Sequence, residues 1–301
     1  MKRQTLLPVF LILIGLIPLM AQTVTIDYID GYLDVMERGS WVEAFIGDTL
    51  SASDSVRLDK DSYAELSGRN LNLTLTSPGI YRISELISAA GEGNALGVGN
   101  LVSGKLSLML QGGSSQVQSA VGGVRASEAV AAPKLDWMGS DTAELIKEAQ
   151  AALRENRFDS AQALLEEAYD LALDDQEESE ALFYLGWTHY QKGETAQALK
   201  RLLSANPDSY SDTYHSHFLI TGNILVSTFA YDEAIAWFGK YSPAGAAFQD
   251  VEAEQAIYLL KGMAFKQKGQ SAQARQVLQK VLDLNPAGDT ATAARSLLKE
   301  L

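Results

Sequence analysis

The stretch Gly99-Asn-Leu-Val-Ser-Gly104-Lys105-Leu106 holds most of what a phosphate-cradling loop requires: two glycines and a lysine directly after the second. That chemistry also needs a Ser or Thr hydroxyl after the lysine to hold magnesium, and Leu106 has no oxygen to offer. No apolar strand leads into the loop, so nucleotide binding is not expected. His215 and His217 are two apart and would point in different directions on a helix. His189 stands apart from them, and the chain has no cysteine. No paired-histidine helix motif is present, so no transition-metal site is expected. Solvated or helix-edge positions are expected for the histidines. The acidic run Asp174, Asp175, Glu177, Glu178 and Glu180 lacks the glycine on which a calcium loop turns. It is expected to be a solvated helix start, where carboxylates meet the positive end of the helix dipole. With no G-x-S-x-G elbow and no H-E-x-x-H pair, nothing singles out an acid, a base or a nucleophile. The expectation is a non-enzyme with no catalytic residue, no cofactor and no metal.

What remains is a surface, and the elements that would build it are repeated. Gly262, Gly269 and Ala274 recur towards the N-terminus as Gly222 and Ala234, then Gly186, Gly193 and Ala198, then Ala149, Asn156 and Ala161. The first rank is spaced by 37, 36 and 40 residues. Large apolar residues follow each copy at one rank: Leu165, Leu202, Phe238 and Leu278. Between the small ranks stands Gly or Asn in three copies, the residues that end a helix in left-handed conformation; Phe229 is the exception. Each copy therefore reads as helix, tight turn, helix, with small residues where the paired helices cross. Such pairs cannot cover their apolar faces alone and must stack into a solenoid. Four units are expected over 141–288, with 289–301 as a capping helix carrying Ala293, Ala294, Leu297 and Leu298 on one face.

Leu185-Gly186, Tyr190, Gly193, Ala198, Leu202 and Ala205 resemble the tetratricopeptide repeat family, as do Gly262, Phe265, Gly269, Ala274, Leu278, Val281 and Pro286. That resemblance implies an all-α array whose first helices line a concave groove holding a protein or peptide. The inward rank is then Gln150, Trp187, Asn223 and Met263, with Arg154, Tyr190, Val226 and Lys266 one turn on. Phe183 lies one turn back from Trp187, with Tyr184 beside it. Phe183 and Tyr190 read equally well as packing between units, whereas Trp187 reads as the partner contact. Of the lysine and asparagine clamp that some such arrays use for a carboxylate, only Asn223 has a counterpart here.

Ahead of the repeats the period changes from helical to alternating. Val56 and Leu58 flank Arg57, Ala64 and Leu66 flank Glu65, and Leu71, Leu73 and Leu75 alternate with Asn72 and Thr74. Trp41, Val42, Ala44 and Ile46 form another short run, and Ile80–Ile83 follows a Ser77-Pro78-Gly79 turn. Short strands at close spacing predict a small sandwich or barrel. Gly39-Ser40-Trp41-Val42, Gly47-Asp48-Thr49-Leu50 and Gly122-Gly123-Val124-Arg125 resemble the FecR-like domain family. That resemblance implies an envelope domain over 22–126, interrupted by a glycine-containing helix between Asn94 and Leu110. Residues 127–140 read as a linker. Lys2 and Arg3, the apolar run Leu6–Met20 and Ala21 read as a secretory signal peptide over 1–21. Its removal takes the formal net charge from −14 to −16, a balance that repels nucleic acid and anionic lipid. An exported chain without cysteine fits the bacterial periplasm, with no stable membrane insertion after cleavage. The fold class read from the sequence is therefore mixed: a β-sandwich or barrel followed by an all-α solenoid. The function read from it is an envelope adaptor binding a protein or peptide; the alternative is a sensor whose β domain binds a glycan or cell-wall polymer.

Overall fold

A computed structural model describes residues 23–69, 71–95, 141–206, 211–243 and 249–301. The signal segment, the Gly99–Leu106 loop, the Gly122–Arg125 motif and the 127–140 linker lie outside the described residues. The N-terminal part is a β-sandwich. Its strands are β1 (Thr23–Asp30), β2 (Leu33–Glu37), β3 (Ser40–Glu43), β4 (Thr49–Ser51), β5 (Ser55–Leu58), β6 (Tyr63–Gly68), β7 (Leu71–Leu75) and β8 (Gly79–Arg82). They form two antiparallel four-stranded sheets, in the orders β4-β1-β6-β7 and β3-β2-β5-β8.

Alternation fixes which side faces in. Val56, Leu58, Ala64, Leu66, Leu73 and Leu75 are buried between the sheets with Val24, Ile26, Leu33 and Val35. Arg57 points out, where its guanidinium pairs with Asp34 at 2.5 Å and lies 4.9 Å from the Trp41 ring centre. The run expected to include Ile46 is shorter than its spacing suggests. Ala44 turns inward, but Phe45 and Ile46 are exposed on the turn into β4. The helix expected between Asn94 and Leu110 lies, beyond Ala95, outside the described residues, and a separate helix follows the strands directly. It is α1 (Ile83–Ala95), whose Ile83 and Leu86 enter the sandwich core directly after β8.

The helical part comprises α2 (Asp141–Arg154), α3 (Phe158–Leu171), α4 (Asp175–Gln191), α5 (Thr195–Ser204), α6 (Tyr214–Ser227), α7 (Tyr231–Gly239), α8 (Val251–Gln267), α9 (Ser271–Leu284) and α10 (Gly288–Glu300). The architecture is thus a β region of two sheets followed by paired helices, the fold class read from the sequence. The small ranks sit where paired helices touch. A Cβ on Gly186 would lie 2.5 Å from Leu202 Cγ, one on Gly222 2.1 Å from Phe238 Cζ, and one on Gly262 2.6 Å from Leu278 Cδ2. These are the same large residues that recur at one rank in the sequence. The turn rank is left-handed in all four units: Asn156, Gly193, Phe229 and Gly269 have φ of 57°, 79°, 63° and 69°. Asp174 opens α4 by accepting from the amides of Gln176 and Glu177, and the Glu177 carboxylate accepts from Leu173 N just ahead of the cap, so two members of the acidic run satisfy donors at the helix start.

Candidate functional site

The first helices of the units place the groove ranks as follows. Gln150 is half-buried and Arg154 exposed on α2. On α4 every residue from Ala181 to His189 is buried, so Phe183, Tyr184 and Trp187 are interior. The Trp187 indole stacks on Tyr184 at 6.2 Å between ring centres and meets Phe183 edge-on at 6.0 Å. The expectation that Trp187 offers itself to a partner is therefore corrected. A helix covered on all sides turns its aromatic ranks into packing. Tyr184 is held by the same burial, which pushes its phenol pKa up, with the Asp212 and Glu180 carboxylates adding to the shift.

The histidines are corrected in the same way. None is solvated: His189 and His215 are 5% exposed and His217 is fully buried. His189 Nδ1 lies 2.6 Å from a Glu194 carboxylate oxygen, and His215 Nδ1 lies 2.7 Å from the Tyr241 hydroxyl. The His217 ring nitrogen Nε2 is 2.6 Å from the Leu202 carbonyl oxygen. Burial drives the His217 pKa down to about 4, against the smaller pull of that carbonyl. Among the described residues no group of three or more His, Asp or Glu is placed to hold a metal ion.

The ranks nearer the ends of the helices do come together. Tyr190, Asn223, Val226 and Met263 line one wall of a cleft of about 260 Å³. The Asn223 amide donates to the Tyr190 hydroxyl at 3.2 Å. The opposite wall belongs to the β-sandwich: Leu71 and Asn72 of β7 with Ala89 and Ala90 of α1. Lys266 sits one turn past Met263, paired with Glu300 at 2.6 Å on the capping helix. Gln150 and Arg154 do not line this cleft. The groove inferred from spacing is therefore divided. Its middle is packed shut by α4 aromatics, and its lower end is completed by another domain.

Phe229 makes that junction. It occupies the turn between α6 and α7, yet its ring is 8% exposed and belongs to the core of the β-sandwich. Tyr231 packs against both cores. Beside them the Thr76 hydroxyl donates to Thr228 Oγ1 at 3.0 Å. Burial raises the Tyr81 pKa to about 12, and the Glu233 carboxylate on α7 adds to the rise. A second cleft of about 440 Å³ adjoins Phe229; it is polar, with Arg82, Glu85, Asp232 and Lys268 among its lining. A left-handed Phe is strained by roughly 1–2 kcal/mol, whereas burying a Phe side chain contributes roughly 1.5–3 kcal/mol. Docking thus outweighs the strain by a small margin. Sequence spacing missed Phe229 as a site residue, although it was the one turn position without Gly or Asn.

The tetratricopeptide repeat family matches residues 146–211 and again residues 256–287, on either side of the third unit. No curated protein matches the sequence. Among solved structures, a tetratricopeptide repeat protein from Parabacteroides merdae is similar over 54% of this chain and 60% of its own, at 16% identity and a TM-score of 0.43. MamA from Desulfovibrio magneticus RS-1, residue 41 to its end, is similar over 54% of this chain and 94% of its own, at 18% identity and a TM-score of 0.41. A double mutant of RS-1 MamA is similar over 54% and 95%, at 19% identity and a TM-score of 0.41.

Proposed function

Because the C-terminal half of this chain carries tetratricopeptide repeats, and such repeats serve generally as protein-interaction scaffolds, we propose that it is a non-enzymatic adaptor of the bacterial envelope. It is exported by its N-terminal segment and holds a protein or peptide partner through the repeats. The FecR-like sandwich contacts the envelope partner. The observation that carries this reading is the cleft in which Tyr190, Asn223, Val226 and Met263 face Leu71 and Asn72. The repeat wall, apolar at Val226 and Met263 and polar at the Tyr190 hydroxyl and the Asn223 amide, suits an extended chain, whose side chains seek apolar contact and whose backbone seeks hydrogen bonds.

The test is a photo-crosslinking amino acid placed at Tyr190 in cells producing the full chain, beside a control at exposed Glu166 on α3. The expected result is a discrete protein adduct from position 190 alone. Identical adducts from both positions, or none from position 190, would count against the site. Fractionation of the same cells tests export: the chain should be periplasmic and begin at Gln22, and a cytoplasmic chain retaining Met1 or Lys2 refutes that part.

A further inference from the structure

Every unit needs a residue that tolerates positive φ between its helices. Units one, two and four supply Asn156, Gly193 and Gly269, whereas unit three supplies Phe229 at φ 63°. The ring belongs to the core of the other domain, whose members include Leu73, Leu75, Ile83 and Leu86, while within unit three it meets Tyr231 edge-on at 6.3 Å between ring centres. The groove ranks beside it are nearly closed off: Asn223 and Val226 are 8% exposed and Met263 7%. The contacts between the domains run from Thr228–Tyr231 to the cleft beside Lys268. The described contacts joining the domains include the inserted Phe229 ring, Tyr231 packed against both cores, and the Thr76–Thr228 hydroxyl bond.

We propose that Phe229 is a latch: it docks the chain's own β-sandwich over the lower end of the groove, so that Asn223, Val226 and Met263 become available to another molecule only when the latch opens. The device is autoinhibitory in form, with the β domain as the resident occupant of the groove end. It goes beyond the adaptor reading, because it concerns access to the site and requires no knowledge of the partner.

The absence of cysteine makes the test clean. In the full chain, Val226→Cys introduces one thiol at the covered rank, and its maleimide labelling rate reports opening. Labelling should be slow with Phe229 in place and at least about tenfold faster when Phe229→Gly is added. Glycine suits the left-handed turn, so the helical circular dichroism should be unchanged. In a separate chain, Thr76→Cys with Thr228→Cys should form a disulfide readily, because the two hydroxyls are 3.0 Å apart, and Phe229→Gly should reduce its yield. Phe229→Asn, the residue type that unit one uses at this rank, repeats both measurements if the glycine variant folds poorly. Equal labelling rates with and without the ring, or equal disulfide yields, would overturn the latch even if a partner is found by crosslinking. Conversely, a working latch would stand if no partner is captured.

Discussion

In the fourth repeat unit Ile257, Gly262, Gly269 and Leu278 occupy the ranks that hold His217, Gly222, Phe229 and Phe238 in the third. In unit four Ile257 and Leu278 are fully buried, Gly262 admits Leu278, and Gly269 makes the turn. Two of the four in unit three serve neighbours. His217 reaches the carbonyl of Leu202 in unit two, and Phe229 reaches the β-sandwich. The difference teaches that a repeat unit departs from its pattern where it has contacts beyond the stack. Departures are therefore better guides to partners than the conserved-looking spacing is.

The largest effect that would break this comparison is set by His217. Its folded pKa of about 4 lies below the ordinary 6.5. The unfolded chain therefore binds the extra proton first as pH falls. Stability from this group is complete above about pH 6.5, declines between 6.5 and 4, and levels off below. The total is about 3 kcal/mol at 1.36 kcal/mol per pKa unit. His217→Gln, which keeps a donor for the Leu202 carbonyl, should lose that much less stability between pH 7 and pH 4 in denaturant titrations. If both chains lose the same amount, unit three is no more pH-sensitive than unit four, whose Ile257 has no proton to gain.

A middle-sized effect separates the crossing glycines. Alanine adds roughly 1 kcal/mol of helix propensity at either Gly222 or Gly262, but each new Cβ would collide with the facing side chain. At Gly222 the obstacle is a rigid ring at 2.1 Å, and at Gly262 a leucine methyl at 2.6 Å. Overpacking of this kind destabilises by roughly 1–3 kcal/mol. Gly222→Ala should therefore lower stability by about 2 kcal/mol and Gly262→Ala by less, since a leucine can change rotamer. Thermal melts resolve the two, and Gly222→Ala combined with Phe238→Leu should recover most of the loss. Equal losses would mean that the ring is no tighter a neighbour than the leucine.

How much of this was legible in the sequence depends on where the cause of each feature lies. The crossings and turns were, because Gly222 and Phe238 encode them locally and the spacing repeats. The sheets were legible for the same reason in period two, as at Leu71–Leu75. Burial of Trp187 was not, because its covering comes from helices on several sides and spacing reports only one face. The histidines misled likewise: their type suggests water, but His217 is enclosed by Phe183 and Trp237, and its Nε2 bonds a carbonyl remote in sequence. The cleft was half visible. Tyr190, Asn223, Val226 and Met263 lie on predicted ranks, but no local pattern announces that Asn72 and Ala89 stand opposite them.

The smallest effect tests the turn rank alone. A Cβ on Gly269 would meet nothing within 4 Å, so its φ of 69° is the only reason for glycine there. Any side chain should then meet the same backbone penalty, roughly 1–2 kcal/mol, whatever its size. Gly269→Ala and Gly269→Phe should lower the melting temperature by similar amounts, about 2–4 °C per kcal/mol for a domain of this length. A Cβ at 269 points into open space, so phenylalanine there bears the strain of Phe229 without the docking that offsets it. A Gly269→Phe chain as stable as its parent would show that left-handed strain at this rank is negligible. Phe229 would then need no docking to explain it, and the contrast between the two units would reduce to chance substitution.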